Sequence, residues 1–400
     1  MTDTFIPYAR QSLTEDDIAA VVDVLRGNWL TQGPNIVAFE EAVATRVGAD
    51  FAVAVATGTA ALHCACYAAG VGPGDNIITS PITFAASGNC ALYLGADVKF
   101  VDIRPDTYCF DPEKLEAAIT PETRAIVPID YTGQPCDIDP INEIAKRHGI
   151  AVIQDSAHAL GAEYKSSPVG ALSDMSIFSF HPVKHIAMGE GGLVATNDEE
   201  LAARIRLFRT HGISNEPSMM QLQDQAADRA SDKTRDMNGP EKAPWYYEMQ
   251  ALGFNYRITD IQCALGTSQL KKLDKFLQRR REIASAYNDA FSQSPLLTIP
   301  FQEADRQSAW HLYMLRLNLD KMTKTRRQVF DDLRSSGIGV HVHYIPVHLL
   351  PYYRDRYGHD RGDFPEAESY YDSALTIPMF PAMTDDEVDR VISTVIEVVG

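Results

Sequence analysis

Cysteines at disulfide or metal-ligand spacing are missing from this sequence: its six (Cys64, Cys66, Cys90, Cys109, Cys136 and Cys263) are scattered and form no CxxC pair. That argues against a disulfide framework and a zinc site, and it points to a reducing, cytoplasmic compartment. No apolar run reaches 18 residues, so no membrane-spanning helix is expected. The start, Met1-Thr2-Asp3-Thr4, lacks the basic stretch and apolar run of a signal peptide, so export is not expected either. Positive charge is scarce: 36 Lys and Arg face 54 Asp and Glu, a formal net charge of −18. So acidic a balance argues against nucleic acid or an anionic membrane as partner, because both reward clustered Lys and Arg. Small anions stay open as ligands, since a helix N-terminus and a few local cations suffice to bind a phosphate.

What is present is the material of a globular protein, 400 residues with 45% hydrophobic and 22% charged side chains. That length suits two domains, or one large α/β domain with a smaller partner. Strand-like runs at 51–56, 77–79, 98–103, 125–129, 151–154 and 192–196 alternate with helical patterns at 14–26, 60–69, 112–119, 138–148 and 198–209. The alternation predicts a mostly parallel sheet covered by helices. Residues 215–244 are polar and without periodicity, which reads as a long mobile loop. Beyond them a helical stretch at 258–291, strand-like runs at 310–317 and 339–343 and a terminal helix at 385–399 predict a second, α+β domain. No internal repeat is visible.

Ligands of open parallel sheets bind outside the carboxyl ends of the strands. Three features fall there. Thr57-Gly58-Thr59 follows a strand and opens a helix, where backbone N–H groups and two hydroxyls can cradle a phosphate, or simply form a turn and cap. Asp155 ends a strand; it can pair with a protonated heterocyclic nitrogen or cap a helix, and His158 follows one turn later. Lys184 lies in Phe178-Ser179-Phe180-His181-Pro182-Val183-Lys184 and is followed by Gly189-Glu190-Gly191-Gly192. A lysine among apolar and aromatic neighbours can lose solvent, drop in pKa and gain nucleophilicity, as a Schiff-base lysine requires. Together they supply a phosphate cup, a pyridinium partner and a Schiff-base lysine, the parts a pyridoxal phosphate enzyme needs.

The motifs Tyr8-Ala9-Arg10-Gln11, Leu30-Thr31-Gln32-Gly33-Pro34, Ser80-Pro81-Ile82-Thr83-Phe84, Ser179 to Lys184, Gly253-Phe254-Asn255-Tyr256-Arg257 and Val342-His343-Tyr344-Ile345-Pro346 extend this pattern along the chain. In order and spacing, from about residue 8 to 398, the chain resembles the DegT-like sugar aminotransferases, within fold type I of the pyridoxal phosphate enzymes. Inside that family it looks most like the pseudaminic acid branch.

The resemblance implies a large domain, 1–257, with a mostly parallel seven-stranded sheet, and a smaller C-terminal α+β domain, 258–400. It implies pyridoxal 5'-phosphate as cofactor, with the pyridoxamine form as intermediate and Lys184 as the catalytic Schiff-base lysine and proton carrier. Asp155 would keep the ring nitrogen protonated, Phe84 would stack on the ring, and His158 would contact the ring oxygen. Thr57, Gly58, Thr59 and Ser179 would hold the phosphate. Asn255 would reach the phosphate in a neighbouring subunit, so the resemblance implies a homodimer with shared sites. Tyr8, Asn28-Trp29-Leu30-Thr31 and His341-Val342-His343-Tyr344 match positions that contact nucleotide sugar. No metal is implied: His341, His343 and His348 lack a carboxylate or cysteine to complete a ligand set.

The implied reaction passes an amino group from L-glutamate to the C4 ketone of a UDP-linked 4-keto-6-deoxy-N-acetylhexosamine. Three alternatives stay open: an aminotransferase for a dTDP-linked or 3-keto sugar, a sugar dehydratase of the branch that replaces the lysine with histidine, and a non-catalytic regulatory protein on the same fold. The chain departs from the family at Ile186-Ala187-Met188, where a Thr-Thr pair is usual, and in the length of 215–244.

Overall fold

A computed structural model of the chain describes residues 5–222 and 245–400. Most of the expected loop 215–244 therefore lies outside the described residues. The described part of it carries a single 3-10 turn, Pro217–Met219.

The alternation read from the sequence resolves into α1 (Glu15–Arg26), α2 (Pro34–Val47), β1 (Phe51–Val55), α3 (Gly58–Ala68), β2 (Asn76–Thr79), α4 (Ala86–Leu92), β3 (Asp97–Phe100), β4 (Thr123–Val127), α5 (Ile138–His148), β5 (Ala151–Asp155), β6 (Met175–Ser179), β7 (Gly192–Thr196) and α6 (Glu199–Phe208). The seven strands form one sheet in the order β1-β7-β6-β5-β4-β2-β3. β7 runs antiparallel to both of its neighbours, and the other pairings are parallel. Helices cover both faces, which is why β2, β4, β6 and β7 are buried almost without interruption rather than on alternate residues. The arrangement is that of a fold type I pyridoxal phosphate enzyme.

After β7 the chain continues through α7 (Asp260–Leu270) and α8 (Leu273–Phe291) to a three-stranded sheet of β8 (Leu297–Thr298), β9 (Tyr313–Leu317) and β10 (Ala374–Ile377), followed by a terminal helix, Asp385–Val399. These elements bury a second core that includes Tyr287, Tyr313, Val329, Leu375 and Val391. Ile6 joins that core from the start of the chain, while Ile258, Cys263, Leu273 and Leu277 join Ile36 and Phe39 in a third. Among the described residues no helix is long and apolar enough to cross a membrane.

Two expected elements change form. The helical stretch 258–291 is two helices, because a capping box at Thr259 and Gln262 starts α7 and the chain turns at Lys271-Lys272. The expected strand at 339–343 is reduced to a single bridge between His341 and Thr376. The hydroxyls of Tyr131 and Tyr370 both donate to the His343 carbonyl, which takes from the chain an acceptor that a continuing strand would need.

Candidate active site

The carboxyl ends of β1, β2, β4, β5 and β6 open onto a cleft of about 530 Å³. Each strand delivers part of its lining just as it ends. β1 hands over to Thr57, the N-cap of α3, whose side chain accepts from the Ala60 N–H at 3.1 Å. As the first two residues of the helix, Gly58 and Thr59 have N–H groups with no intrahelical acceptor, so both are available to an anion in the cleft. β6 ends at Ser179 beside them. A Cβ added to Gly58 would lie 3.0 Å from the Ser179 Cβ and 3.2 Å from its Oγ, and one added to Gly192 would meet the Thr57 carbonyl oxygen at 2.1 Å. Glycine at 192 is thus what lets β7 pass between the ends of β1 and β6, where it pairs with Val55 on one side and Ser179 on the other.

β5 delivers Asp155, buried at the floor. Burial pushes its carboxyl up from the ordinary value, opposed by the Ser87 hydroxyl, the Ala157 N–H and the charge of Lys184. Ser87 donates to Oδ2 at 2.7 Å and Ala157 to Oδ1 at 3.2 Å. Among the described residues no cation lies within salt-bridge distance of this carboxylate, so a protonated ring nitrogen would complete it.

Lys184 follows β6 on a short turn closed by its own N–H donating to the His181 carbonyl at 2.8 Å. Burial brings its amine down to about 8, Arg280 adds to the shift, and Asp155 opposes it. The Nζ sits 3.5 Å from Nε2 of His311, whose ring lies 4.3 Å, centroid to centroid, from that of His158. Nε2 of His158 faces the Tyr344 hydroxyl at 3.4 Å, while Nδ1 of His158 and of His311 are buried without a partner among the described residues. Phe84 lines the same cleft with an exposed ring face. At the mouth Tyr8, His341 and His343 pack as a trio, with ring centroids 4.6–5.5 Å apart.

Of the residues singled out in the sequence, Tyr8, Thr57, Gly58, Thr59, Phe84, Asp155, His158, Ser179, Lys184, His341, His343 and Tyr344 therefore converge on one cleft. Val342 sits between two of them but does not line it. Asn28 and Trp29 line a separate, open groove between α1 and α7, and the side chains of Trp29 and Leu30 are exposed. Thr31 bridges Thr259, and Asn255 bridges Thr210, also away from this cleft. His348 is buried with Nε2 3.0 Å from Glu368. His185, the neighbour of Lys184, is buried and turned away from the cleft, with Nε2 3.0 Å from the Ala309 carbonyl. Sequence reasoning missed Thr83, Ser87 and His311. Only Thr83 lay inside a quoted motif, and neither Ser87 nor His311 carries a local signal.

An anion cradle at a helix start, a buried carboxylate without a cation, orphaned histidine nitrogens and a desolvated lysine fit pyridoxal 5'-phosphate, and with the sheet order they define a pyridoxal phosphate enzyme of fold type I. More particularly, the chain belongs to the DegT/DnrJ/EryC1/StrS aminotransferase family, whose model matches residues 11–396. It is similar to SpsC of Bacillus subtilis, a spore coat polysaccharide biosynthesis protein, at 42% identity over 396 residues, covering 99% of this chain and 97% of the relative. Among solved structures it is similar to PseC of Helicobacter pylori, an aminotransferase of pseudoaminic acid biosynthesis, at 30% identity and a TM-score of 0.88 over 99% of each chain. Spr1654 of Streptococcus pneumoniae, solved in PLP and PMP forms, gives 30% identity and a TM-score of 0.88 in the PMP form, over 98% of this chain and 97% of that one. The protein is a sugar aminotransferase of this family, and its cofactor is pyridoxal 5'-phosphate.

Proposed function

We propose that this protein transfers the amino group of L-glutamate to the C4 ketone of a UDP-linked 4-keto-6-deoxy-N-acetylhexosamine, giving UDP-4-amino-4,6-dideoxy-N-acetyl-β-L-altrosamine. The observation that carries transamination is the convergence of Lys184, Asp155 and the Gly58 helix start on one cleft. The likeness to PseC supports the sugar. When bound, the cofactor supplies an electron sink that lets an amino group pass between two carbonyl partners.

The chain's own residues do the rest. The α3 start, with Thr57, Thr59 and Ser179, binds the phosphate, and Asp155 holds a proton on the ring nitrogen. His158 is placed to hydrogen-bond the ring oxygen, and Phe84 covers the ring and excludes water from one face. Lys184, whose amine burial brings down to about 8, takes the proton from the donor carbon in the first half-reaction and delivers a proton to C4 of the acceptor in the second. Tyr8, His341, His343 and Tyr344 orient the sugar nucleotide at the mouth.

Asn255, Trp29 and Leu30 lie outside the cleft of their own chain, and the apolar side chains of Trp245, Tyr247, Met249 and Leu252 beside Asn255 are exposed. Both features support a homodimer in which each copy completes the other's site. Six free, buried cysteines support a reducing, cytoplasmic setting.

The test starts from the yellow holoenzyme. Its absorbance should bleach with L-glutamate, and the resulting amino form should aminate the UDP-linked altro-configured keto sugar, followed by mass spectrometry and NMR. Absence of bleaching, or bleaching that survives Lys184→Ala, overturns transamination. A second reading, amino transfer to another nucleotide-linked keto sugar, is favoured by the likeness to SpsC. It prevails if gluco-configured or dTDP-linked acceptors are used faster than the altro sugar.

A further inference from the structure

We propose that Ser87, backed by Thr83, is a positioning residue for Asp155: the two hydroxyls form a one-way relay that fixes Oδ2 and keeps this carboxylate ionised against the cofactor's ring nitrogen. This rests on the assignment of Asp155 to that nitrogen. Ser87 Oγ lies 2.7 Å from Asp155 Oδ2, and Thr83 Oγ1 lies 2.7 Å from Ser87 Oγ. Ser87 has one hydroxyl hydrogen, and an ionised carboxylate only accepts, so that hydrogen goes to Asp155 and Thr83 must donate to Ser87. All three side chains are buried and line the cleft.

The relay matters because burial works against Asp155. A carboxyl in a site poor in water favours its neutral form, and a neutral carboxyl cannot hold a proton on the ring nitrogen by charge. A short hydrogen bond donated to the charged form counteracts this, and a second donor behind the first polarises it further. The Ala157 N–H fixes the other oxygen, so the carboxylate plane is set from two sides. The arrangement is assembled by fold: α4 brings Ser87 to the end of β5, 68 residues away in sequence.

The test compares cofactor binding by the full-length apoenzyme for pyridoxal 5'-phosphate and for its 1-deaza analogue, which has carbon in place of the ring nitrogen. Ser87→Ala should weaken binding of the natural cofactor about tenfold, the low end for a hydrogen bond to a charged group, while the 1-deaza cofactor should bind wild type and variant within about twofold. Thr83→Val should cost about threefold with the natural cofactor only, and Thr83→Ser should restore it. Equal weakening toward both cofactors overturns the proposal and makes Ser87 a packing residue. Asp155→Asn, run in parallel, separates the two levels. If it too ignores the ring atom, the assignment of Asp155 fails. If it responds while Ser87→Ala and Thr83→Val do not, the relay alone fails.

Discussion

An amine brought down to about 8 should declare itself in the rate at which the apoenzyme captures its cofactor. From 10.5, the ordinary value, Lys184 is shifted chiefly by burial, with the Arg280 guanidinium adding and the Asp155 carboxylate opposing. At about pH 7.5 roughly a quarter of the molecules then carry a neutral amine, against about one in a thousand for an unshifted lysine, a gain of about 200-fold in the nucleophilic form. Stopped-flow loading of apoenzyme with saturating pyridoxal 5'-phosphate, from about pH 6 to about pH 10, reads this directly. The rate should climb about tenfold per unit below pH 8 and level off above it. Asp155→Asn sharpens the test, because removing the opposing charge should move the break to lower pH. A rate still climbing at pH 10, or a break moved upward by Asp155→Asn, would refute the electrostatic account.

Other consequences are equally direct. Because the folded-state pKa of Lys184 lies below the unfolded one, the apoenzyme under about pH 8 buries a charge that the unfolded chain solvates. Lys184→Met should therefore stabilise it there by about 3 kcal/mol, with the gain fading as pH rises from 8 toward 10.5, followed by thermal melts. Gly192→Ala sets a Cβ against the Thr57 carbonyl and should cost about 3 kcal/mol in urea unfolding, whereas Gly58→Ala, which meets only the Ser179 side chain, should weaken cofactor binding more than the fold. Tyr131→Phe and Tyr370→Phe each remove a donor to the His343 carbonyl; each should raise KM for the sugar nucleotide about fivefold, with cofactor affinity unchanged in equilibrium titration.

The parts of the site carried by local sequence were legible in it. Thr57-Gly58-Thr59 and Asp155 each stand at the end of an apolar run that the sequence predicts as a strand, whereas β6, which leads to the lysine motif, is interrupted by Ser176 and Ser179 and is absent from the predicted runs. A parallel strand buried on both faces announces itself by composition, and its end marks the binding edge. The expected strand at 339–343 failed for the complementary reason. Its apolar and β-branched residues suit a strand, but side-chain donors from Tyr131, 212 residues away, and Tyr370 hold the His343 carbonyl. Nothing within five residues of His343 carries that information.

Hydrophobic period, helix caps and motif spacing are properties of short segments, so most of the strand and helix order (though not α2, α4 or β6), the site's three principal groups and, through resemblance, the family were legible in the sequence. Tertiary structure alone decided which groups stand around those three. Ser87 reaches Asp155, and His311 reaches Lys184 from 127 residues away. It also decided the charge state of the lysine, since desolvation and the fields of Arg280 and Asp155 exist only once distant segments have closed over it.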